Sequence, residues 1–130
     1  EMKALLDTHT ALFAWMAPEK LSARVRKLIR NRENELYFSQ ASTFEIVLKH
    51  KVGKMILPEA PVSYVATRVQ IFGFRYLPIE DADIQGISDL PMVHRDPFDW
   101  LLLATAQRLS LPMISRDSFF KKYPVELVWS

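Results

Sequence analysis

The segment His94-Arg95-Asp96-Pro97-Phe98-Asp99-Trp100-Leu101-Leu102-Leu103-Ala104-Thr105-Ala106 places an acidic turn directly before an apolar run. It predicts a helix that begins at Pro97, because proline suits the first helical position and Asp96 can cap the free backbone N–H groups. The helix is apolar on nearly every side, and such a helix is buried at the centre of its domain.

Short apolar segments alternate with helical ones on both sides of this helix. The predicted strands cover residues 4–6, 36–39, 76–79, 111–115 and 125–129, and the predicted helices begin at Thr8, Ser22, Ser42, Pro61, Asp81 and Pro97. This alternation indicates an α/β fold with a parallel sheet of about five strands. In such a sheet, ligands bind beyond the carboxyl ends of the strands.

The composition is that of one globular domain. The chain has 130 residues, of which 49% are hydrophobic and 25% charged, and these proportions exclude a disordered chain or a coiled coil. It contains no cysteine, which excludes disulfides, thiolate zinc sites and cysteine nucleophiles.

The apolar runs are too short to cross a bilayer. Asp7 interrupts the first of them where a signal peptide would continue. We therefore expect a cytoplasmic protein with no membrane role. Glu1, which precedes Met2, is expected to be a cloning remnant, so the single domain is expected to cover residues 2–130.

The charges are segregated along the chain, although the formal net charge is only +2. Residues 20–54 carry nine Lys or Arg and three Glu, whereas residues 80–99 carry six carboxylates and one Arg. This pattern predicts a basic surface for a polyanion and a separate acidic site. The alternative is that solvent-exposed helix faces differ by chance.

Four carboxylates are predicted to meet at the carboxyl edge of the sheet. Asp7 directly follows the first strand, Asp117 follows the fourth, and Glu45 and Asp99 lie in the first turns of their helices. Each also has a structural explanation: Glu45 completes a capping box with Ser42, a helix dipole favours Asp99, and turns favour the other two. Four such coincidences at one edge are less probable than a shared site.

A cluster of four carboxylates needs cations. Two carboxylates about 4 Å apart repel by about 4 kcal/mol at an effective dielectric of roughly 20. Oxygen ligands suit Mg²⁺ or Mn²⁺, and a metal-bound water can attack a phosphodiester. The three histidines, His9, His50 and His94, stand apart in the sequence, which argues against metal-free cleavage by a histidine pair.

Four motifs make the chain resemble the PIN-domain ribonucleases, and more closely the VapC toxins of type II toxin–antitoxin pairs. The motifs are Leu5-Leu6-Asp7-Thr8-His9, Ala41-Ser42-Thr43-Phe44-Glu45-Ile46, His94-Arg95-Asp96-Pro97-Phe98-Asp99 and Ser115-Arg116-Asp117. The resemblance extends from Met2 to Trp129 and implies a PIN-like three-layer α/β/α sandwich. It also implies a Mg²⁺- or Mn²⁺-dependent endoribonuclease that acts on RNA, forms homodimers and is neutralised by a cognate VapB-like antitoxin.

The resemblance assigns catalysis and metal binding to four acids: Asp7, Glu45, Asp99 and Asp117. Asp96 is added as a further metal ligand. It ranks below Asp99, because the residue before a proline is held in an extended shape and makes a good helix cap.

Other polar residues are candidates to assist these acids. Thr8 and Ser115 are expected to hydrogen-bond a carboxylate or a metal-bound water, or else to serve as turn residues. Basic side chains are expected to hold RNA phosphates without reading the base sequence, or else to form solvated helix faces. These basic candidates are Lys49, Lys51, Lys54, Arg24 and Arg30.

Two other functions remain open. A receiver-type signalling domain also binds Mg²⁺ at the carboxyl edge of its sheet, but it needs an acidic pair after the first strand, where Asp7 stands alone. A PIN-like module that has lost catalysis would only bind its partner. Phe13, Trp15 and Phe44 are interpreted as core or partner-surface residues rather than base-stacking ones.

Overall fold

The computed structural model describes residues 1–93 and 95–130, so His94 of the predicted motif lies outside the described residues. The strands are β1 Lys3–Leu6, β2 Glu35–Ser39, β3 Arg75–Leu77, β4 Met113–Ile114 and β5 Leu127–Val128. The helices are α1 Thr8–Met16, α2 Ala23–Arg30, α3 Gln40–Lys51, α4 Pro61–Phe72, α5 Asp81–Gly86 and α6 Pro97–Leu109. Short 3-10 helices cover Pro18–Lys20, Ile87–Asp89 and Ser118–Lys122.

These strands form one parallel sheet in the order β3-β2-β1-β4-β5. β1 lies in the middle, where Leu5 is in register with Tyr37 of β2 on one side and Met113 of β4 on the other. The predicted parallel sheet of about five strands is confirmed. Because β1 is central, Asp7 directly after it lies in the middle of the carboxyl edge.

Different helices cover the two faces of the sheet, because side chains alternate along each strand. Leu6, Phe38 and Ile114 face a core that also contains residues of α1, α2 and α4. Leu5 and Met113 face a second core that contains residues of α6 and of the 3-10 helix after β4. The predicted three-layer α/β/α sandwich is confirmed. The expectation that α6 is buried at the centre is wrong, because α6 lies in one outer layer: Leu102 and Leu103 pack towards the sheet, whereas Arg108 is exposed.

Helix α3 begins earlier than the sequence pattern predicts. Ser39, the last residue of β2, caps the helix by accepting a hydrogen bond from the Ala41 backbone N–H at 3.0 Å. Ser42 is instead buried inside the first turn. The predicted start at Ser42 is therefore wrong, and so is the placement of Glu45 in the first turn, since Glu45 is the sixth residue of α3. Ser39, three positions before Ser42, is an equally good helix-capping residue on sequence grounds.

Helices α5 and α6 pack closely. A Cβ atom added to Gly86 would lie 3.2 Å from the Cβ of Ala104, a tight contact that favours glycine at this crossing. Asp83 of α5 is buried beside α6, and its Oδ1 accepts a hydrogen bond from Arg108 Nε at 2.7 Å. Asp83 thus has a structural partner. The prediction that the acidic segment 80–99 forms one site is wrong for this residue.

In the described part of the chain, no helix has both the length and the apolar character needed to cross a membrane.

Candidate active site

Asp7 lies at the junction between β1 and α1, where it caps the helix. Its Oδ1 accepts a hydrogen bond from the Thr10 backbone N–H at 2.7 Å, and its Oδ2 accepts one from the Ser115 hydroxyl. Burial raises the pKa of Asp7, and the hydrogen bonds from Ser115 and Thr10 partly offset this effect. Ser115 Oγ also accepts a hydrogen bond from the Asp117 backbone N–H at 3.0 Å. Ser115 therefore ties Asp7 to the turn that carries Asp117.

Thr8 makes a different contact. Its hydroxyl lies 2.7 Å from the Ser42 hydroxyl, and both residues are buried. This hydrogen bond joins the start of α1 to the first turn of α3. Thr8 therefore links α1, which Asp7 caps, to α3, which carries Glu45, and the described partner of its hydroxyl is Ser42 rather than a carboxylate.

Glu45 is buried, with 2% of its surface exposed. Its Oε2 accepts a hydrogen bond from Lys49 Nζ at 2.6 Å, one helical turn further along α3. Its Oε1 is buried and has no hydrogen-bond partner within residues 1–93 and 95–130. An unsatisfied buried carboxylate oxygen is costly, so this atom is suited to meet a cation.

Asp99, the third residue of α6, lies within electrostatic reach of the other acids. Its pKa is raised from the ordinary value of 3.8 to about 8, first by burial and then by the charges of Asp96, Glu45, Asp7 and Asp117. The structure thus brings all five predicted carboxylates to one edge of the sheet. Their mutual repulsion is the force that a bound cation would relieve.

Asp96 and Asp117 each use one oxygen as a cap. Asp96 Oδ1 accepts a hydrogen bond from the Phe98 backbone N–H at 2.9 Å, and Asp117 Oδ1 accepts one from the Phe119 backbone N–H at 2.9 Å. The cap explanation and the ligand hypothesis are therefore compatible, because a carboxylate has a second oxygen for another partner.

The donor set fits a hydrated hard cation. It consists of carboxylate oxygens, one of which, Glu45 Oε1, is buried and unpartnered. Across the described residues, no three acidic or histidine side chains are arranged to enclose a metal ion as they stand. Mg²⁺ does not require such an enclosure, because it usually keeps several waters and binds through one or two carboxylates.

A cleft of about 290 Å³ adjoins the acids. Phe13 forms part of its wall, with the Arg116 guanidinium 4.9 Å from the ring centre. The sequence analysis included Arg116 in the motif Ser115-Arg116-Asp117 but predicted no role for it. Its position between two predicted site residues was the signal that could have identified it. The lining residues are Asp7, His9, Thr10, Phe13, Arg116 and Asp117.

The predicted basic residues come from α2, from α3 and from the turn after α3. Lys49 is paired with Glu45, and the i to i+4 spacing could have revealed this pairing from the sequence. Lys51 and Lys54 are exposed near the end of α3. Arg24 donates a hydrogen bond to the Ser130 carbonyl at 3.1 Å. Arg30 lines a shallow depression of about 510 Å³ together with other residues of α2.

The three predicted core or partner-surface aromatics lie in different surroundings. Trp15 packs against Phe38, with ring centres 5.4 Å apart, and belongs to the core. Phe44 is 51% exposed and packs edge-on against Phe98 at 5.3 Å. Phe13 is half-buried and forms part of the wall of the cleft.

The sequence profile of the PIN domain family matches residues 4–126. The chain therefore belongs to the PIN domain family. Membership of this family rules out the alternative that the chain is a receiver-type signalling domain. No curated protein sequence matches the chain significantly.

Several solved structures share the fold. A chain of VapBC2 from Rickettsia felis, bound to a DNA fragment from its promoter, is 17% identical, with a TM-score of 0.73 over 99% of this chain and 100% of that one. A chain of DNA-bound VapBC from Salmonella typhimurium is 15% identical, with a TM-score of 0.73 over 98% of each chain. A chain of FitAcB from Neisseria gonorrhoeae is 21% identical, with a TM-score of 0.65 over 97% of this chain and 96% of that one. At these identities, the likeness establishes the fold.

Proposed function

We propose that this PIN domain is a Mg²⁺- or Mn²⁺-dependent endoribonuclease and the toxin of a type II toxin–antitoxin pair. The observation that carries the proposal is the gathering of five carboxylates at the carboxyl edge, where four of them raise the pKa of the fifth, Asp99. Family membership supports the same conclusion, because PIN domains are generally nucleases.

The acids that would hold the metal are Asp7, Glu45, Asp99 and Asp117, with Asp96 as a further ligand. When bound, a divalent cation neutralises these carboxylates, activates water and stabilises negative charge on the phosphodiester. Ser115 and the Thr10 backbone N–H fix both oxygens of Asp7. Lys49 fixes one oxygen of Glu45 and leaves the other free. The chain thus orients its acids before the cation and the RNA arrive.

The proposal of an antitoxin partner rests on the solved structures that share this fold. The matched chains come from VapBC and FitAB complexes and from a toxin–antitoxin complex of Klebsiella pneumoniae. The VapBC complex from Mycobacterium tuberculosis is described as a member of a family of toxin–antitoxin systems. We infer a cognate VapB-like antitoxin as the partner of this chain and a homodimer as its assembly, with RNA as the substrate.

The test is RNA cleavage by purified protein in Mg²⁺. Asp7→Asn should reduce the rate by about a hundredfold or more, because it removes a charge from the proposed metal site. Asp89→Asn is the matched control, since Asp89 is exposed in a 3-10 helix away from the cluster, and it should cut normally. EDTA should abolish cleavage by both the wild type and the control.

Cleavage by Asp7→Asn at the wild-type rate would show that the site is assigned wrongly. A wild type that cuts no RNA in Mg²⁺ or Mn²⁺, while still binding an antitoxin, would instead favour the inactive binding module. Sequencing the fragments of total cellular RNA would identify the target.

A further inference from the structure

Two cationic side chains, those of Arg116 and Lys20, lie next to the Phe13 ring. The Arg116 guanidinium carbon lies 4.9 Å from the ring centre, and Lys20 Nζ lies 5.5 Å from it. Both distances fall within the range of favourable cation–π interactions. The three residues come from α1, the 3-10 helix Pro18–Lys20 and the turn after β4, so the fold itself assembles the group.

This group stands beside the acids. Arg116 lies between Ser115, which donates a hydrogen bond to Asp7, and Asp117, and it lines the same cleft as both acids. Arg116 and Lys20 are exposed, and neither forms a salt bridge within residues 1–93 and 95–130. Two positive charges are therefore available next to a cluster that repels phosphate.

We propose that Arg116 and Lys20, held on the Phe13 ring, bind the backbone phosphate of a nucleotide next to the one that is cut in single-stranded RNA. The proposal rests on the proposed ribonuclease function. Phe13 is the positioning residue, because it keeps the two cations at the wall of the cleft. A guanidinium group offers a planar fork that matches phosphate oxygens.

The surroundings favour a phosphate over a stacked base. Phe13 is half-buried and its ring already holds two cations, which a stacking base would have to displace. The 3-10 helix that carries Lys20 also borders the basic depression on α2, where Pro18 and Glu19 are lining residues. The RNA backbone therefore has a positively charged surface to follow on leaving the cleft.

The experiment measures binding of a fluorescein-labelled, mixed-sequence single-stranded RNA of about 12 nucleotides. Fluorescence anisotropy is recorded in EDTA at several salt concentrations, so that binding is measured apart from cleavage. Arg116→Gln and Lys20→Gln should each weaken binding by about tenfold or more, the loss expected for one charge-assisted hydrogen bond. The two substitutions together should also reduce the slope of log K against log salt by about 0.7, the value for one phosphate on a single strand.

Two further variants separate positioning from general charge. Phe13→Leu should weaken binding as Arg116→Gln does, and Phe13→Tyr should restore it, because tyrosine offers the same ring face. Arg68→Gln is the matched control. Arg68 also lies over an aromatic ring, 4.4 Å from the centre of Tyr64, but on α4 and outside the cleft. It should bind RNA as the wild type does.

Cleavage in Mg²⁺ is measured in parallel, and Arg116→Gln and Lys20→Gln should raise KM while leaving kcat nearly unchanged. If the wild type cuts RNA but both variants bind and cut like Arg68→Gln, this proposal is wrong and the ribonuclease function stands. If the two variants lose affinity for the antitoxin alone, the site is a protein contact and the proposal is equally wrong. A wild type that neither binds nor cuts RNA would overturn both proposals.

Discussion

Lys49 orients one acid of the proposed metal site without being one of its proposed ligands. Glu45 is buried, and the only described hydrogen-bond partner of its side chain is the Lys49 ammonium group at 2.6 Å. An ion pair at this depth does not guarantee net stability, but breaking it leaves an uncompensated charge inside the protein. The contact with Lys49 holds one oxygen of Glu45 in place and leaves Oε1 without a described partner.

Lys49→Met should therefore destabilise the metal-free protein by about 3 kcal/mol, because it leaves the Glu45 carboxylate buried and unpaired. Urea denaturation followed by circular dichroism measures the free energy of unfolding. Lys51→Met, two positions along the same helix and exposed, is the control and should change it little. Equal effects of the two substitutions would mean that the Lys49–Glu45 pair has no special role.

The sequence predicted the positions of the acids but missed the contact between Arg116 and Phe13, because the two kinds of information differ physically. Asp7, Asp99 and Asp117 follow from strand and helix ends, which local patterns reveal. Arg116 acquires its role from Phe13, which lies more than a hundred positions away and meets it only in the folded chain. The local sequence Ser115-Arg116-Asp117 places Arg116 between two site residues, but its contact with Phe13 depends on tertiary packing.

At the level of elements, the predicted boundaries hold where side chains mark them clearly. Helix α1 covers Thr8–Met16 and α6 begins at Pro97, as predicted, because Asp7 and Asp96 act as caps. Helix α3 is the exception, since Ser39 and Ser42 are both acceptable caps on local grounds. Burial decides between them: Ser42 is enclosed, with its hydroxyl next to Thr8.

Ser39→Ala should cost about 1 kcal/mol of stability, because the Ala41 backbone N–H loses its partner. Ser63→Ala in the first turn of α4 is the matched control, as Ser63 is exposed and does not cap its helix. Thermal denaturation of the two variants compares them directly. A Tm for Ser39→Ala no lower than that of Ser63→Ala would contradict the assignment of the cap.

For the whole molecule, the acidic site makes stability depend on pH. The pKa of Asp99 in the folded protein is about 8, against an ordinary value of 3.8. The folded state therefore holds this proton more tightly than the unfolded chain does. The favourable contribution is complete below about pH 4 and is lost as the pH rises towards 8. Burial raises the pKa of Asp7 and acts in the same direction.

We expect the Tm of the metal-free protein to fall as the pH rises from about 4 to 8 in EDTA, and Mg²⁺ to reverse much of the fall by binding the folded state. Asp99→Asn cannot ionise at this position and should flatten the pH dependence and weaken the response to Mg²⁺. Differential scanning fluorimetry measures both effects. A wild type and an Asp99→Asn variant with the same pH profile would show that Asp99 does not carry this repulsion.

The central position of β1 determines when the site can form during protein synthesis. β1 pairs with β4 more than a hundred residues later, and the Ser115 hydroxyl reaches Asp7 across 108 positions. A ribosome makes Asp7 long before Asp117, and the growing chain has no neighbour for that side of its central strand until β4 emerges. A nascent or prematurely terminated chain therefore lacks the assembled acidic centre, and translation itself postpones the appearance of a complete site.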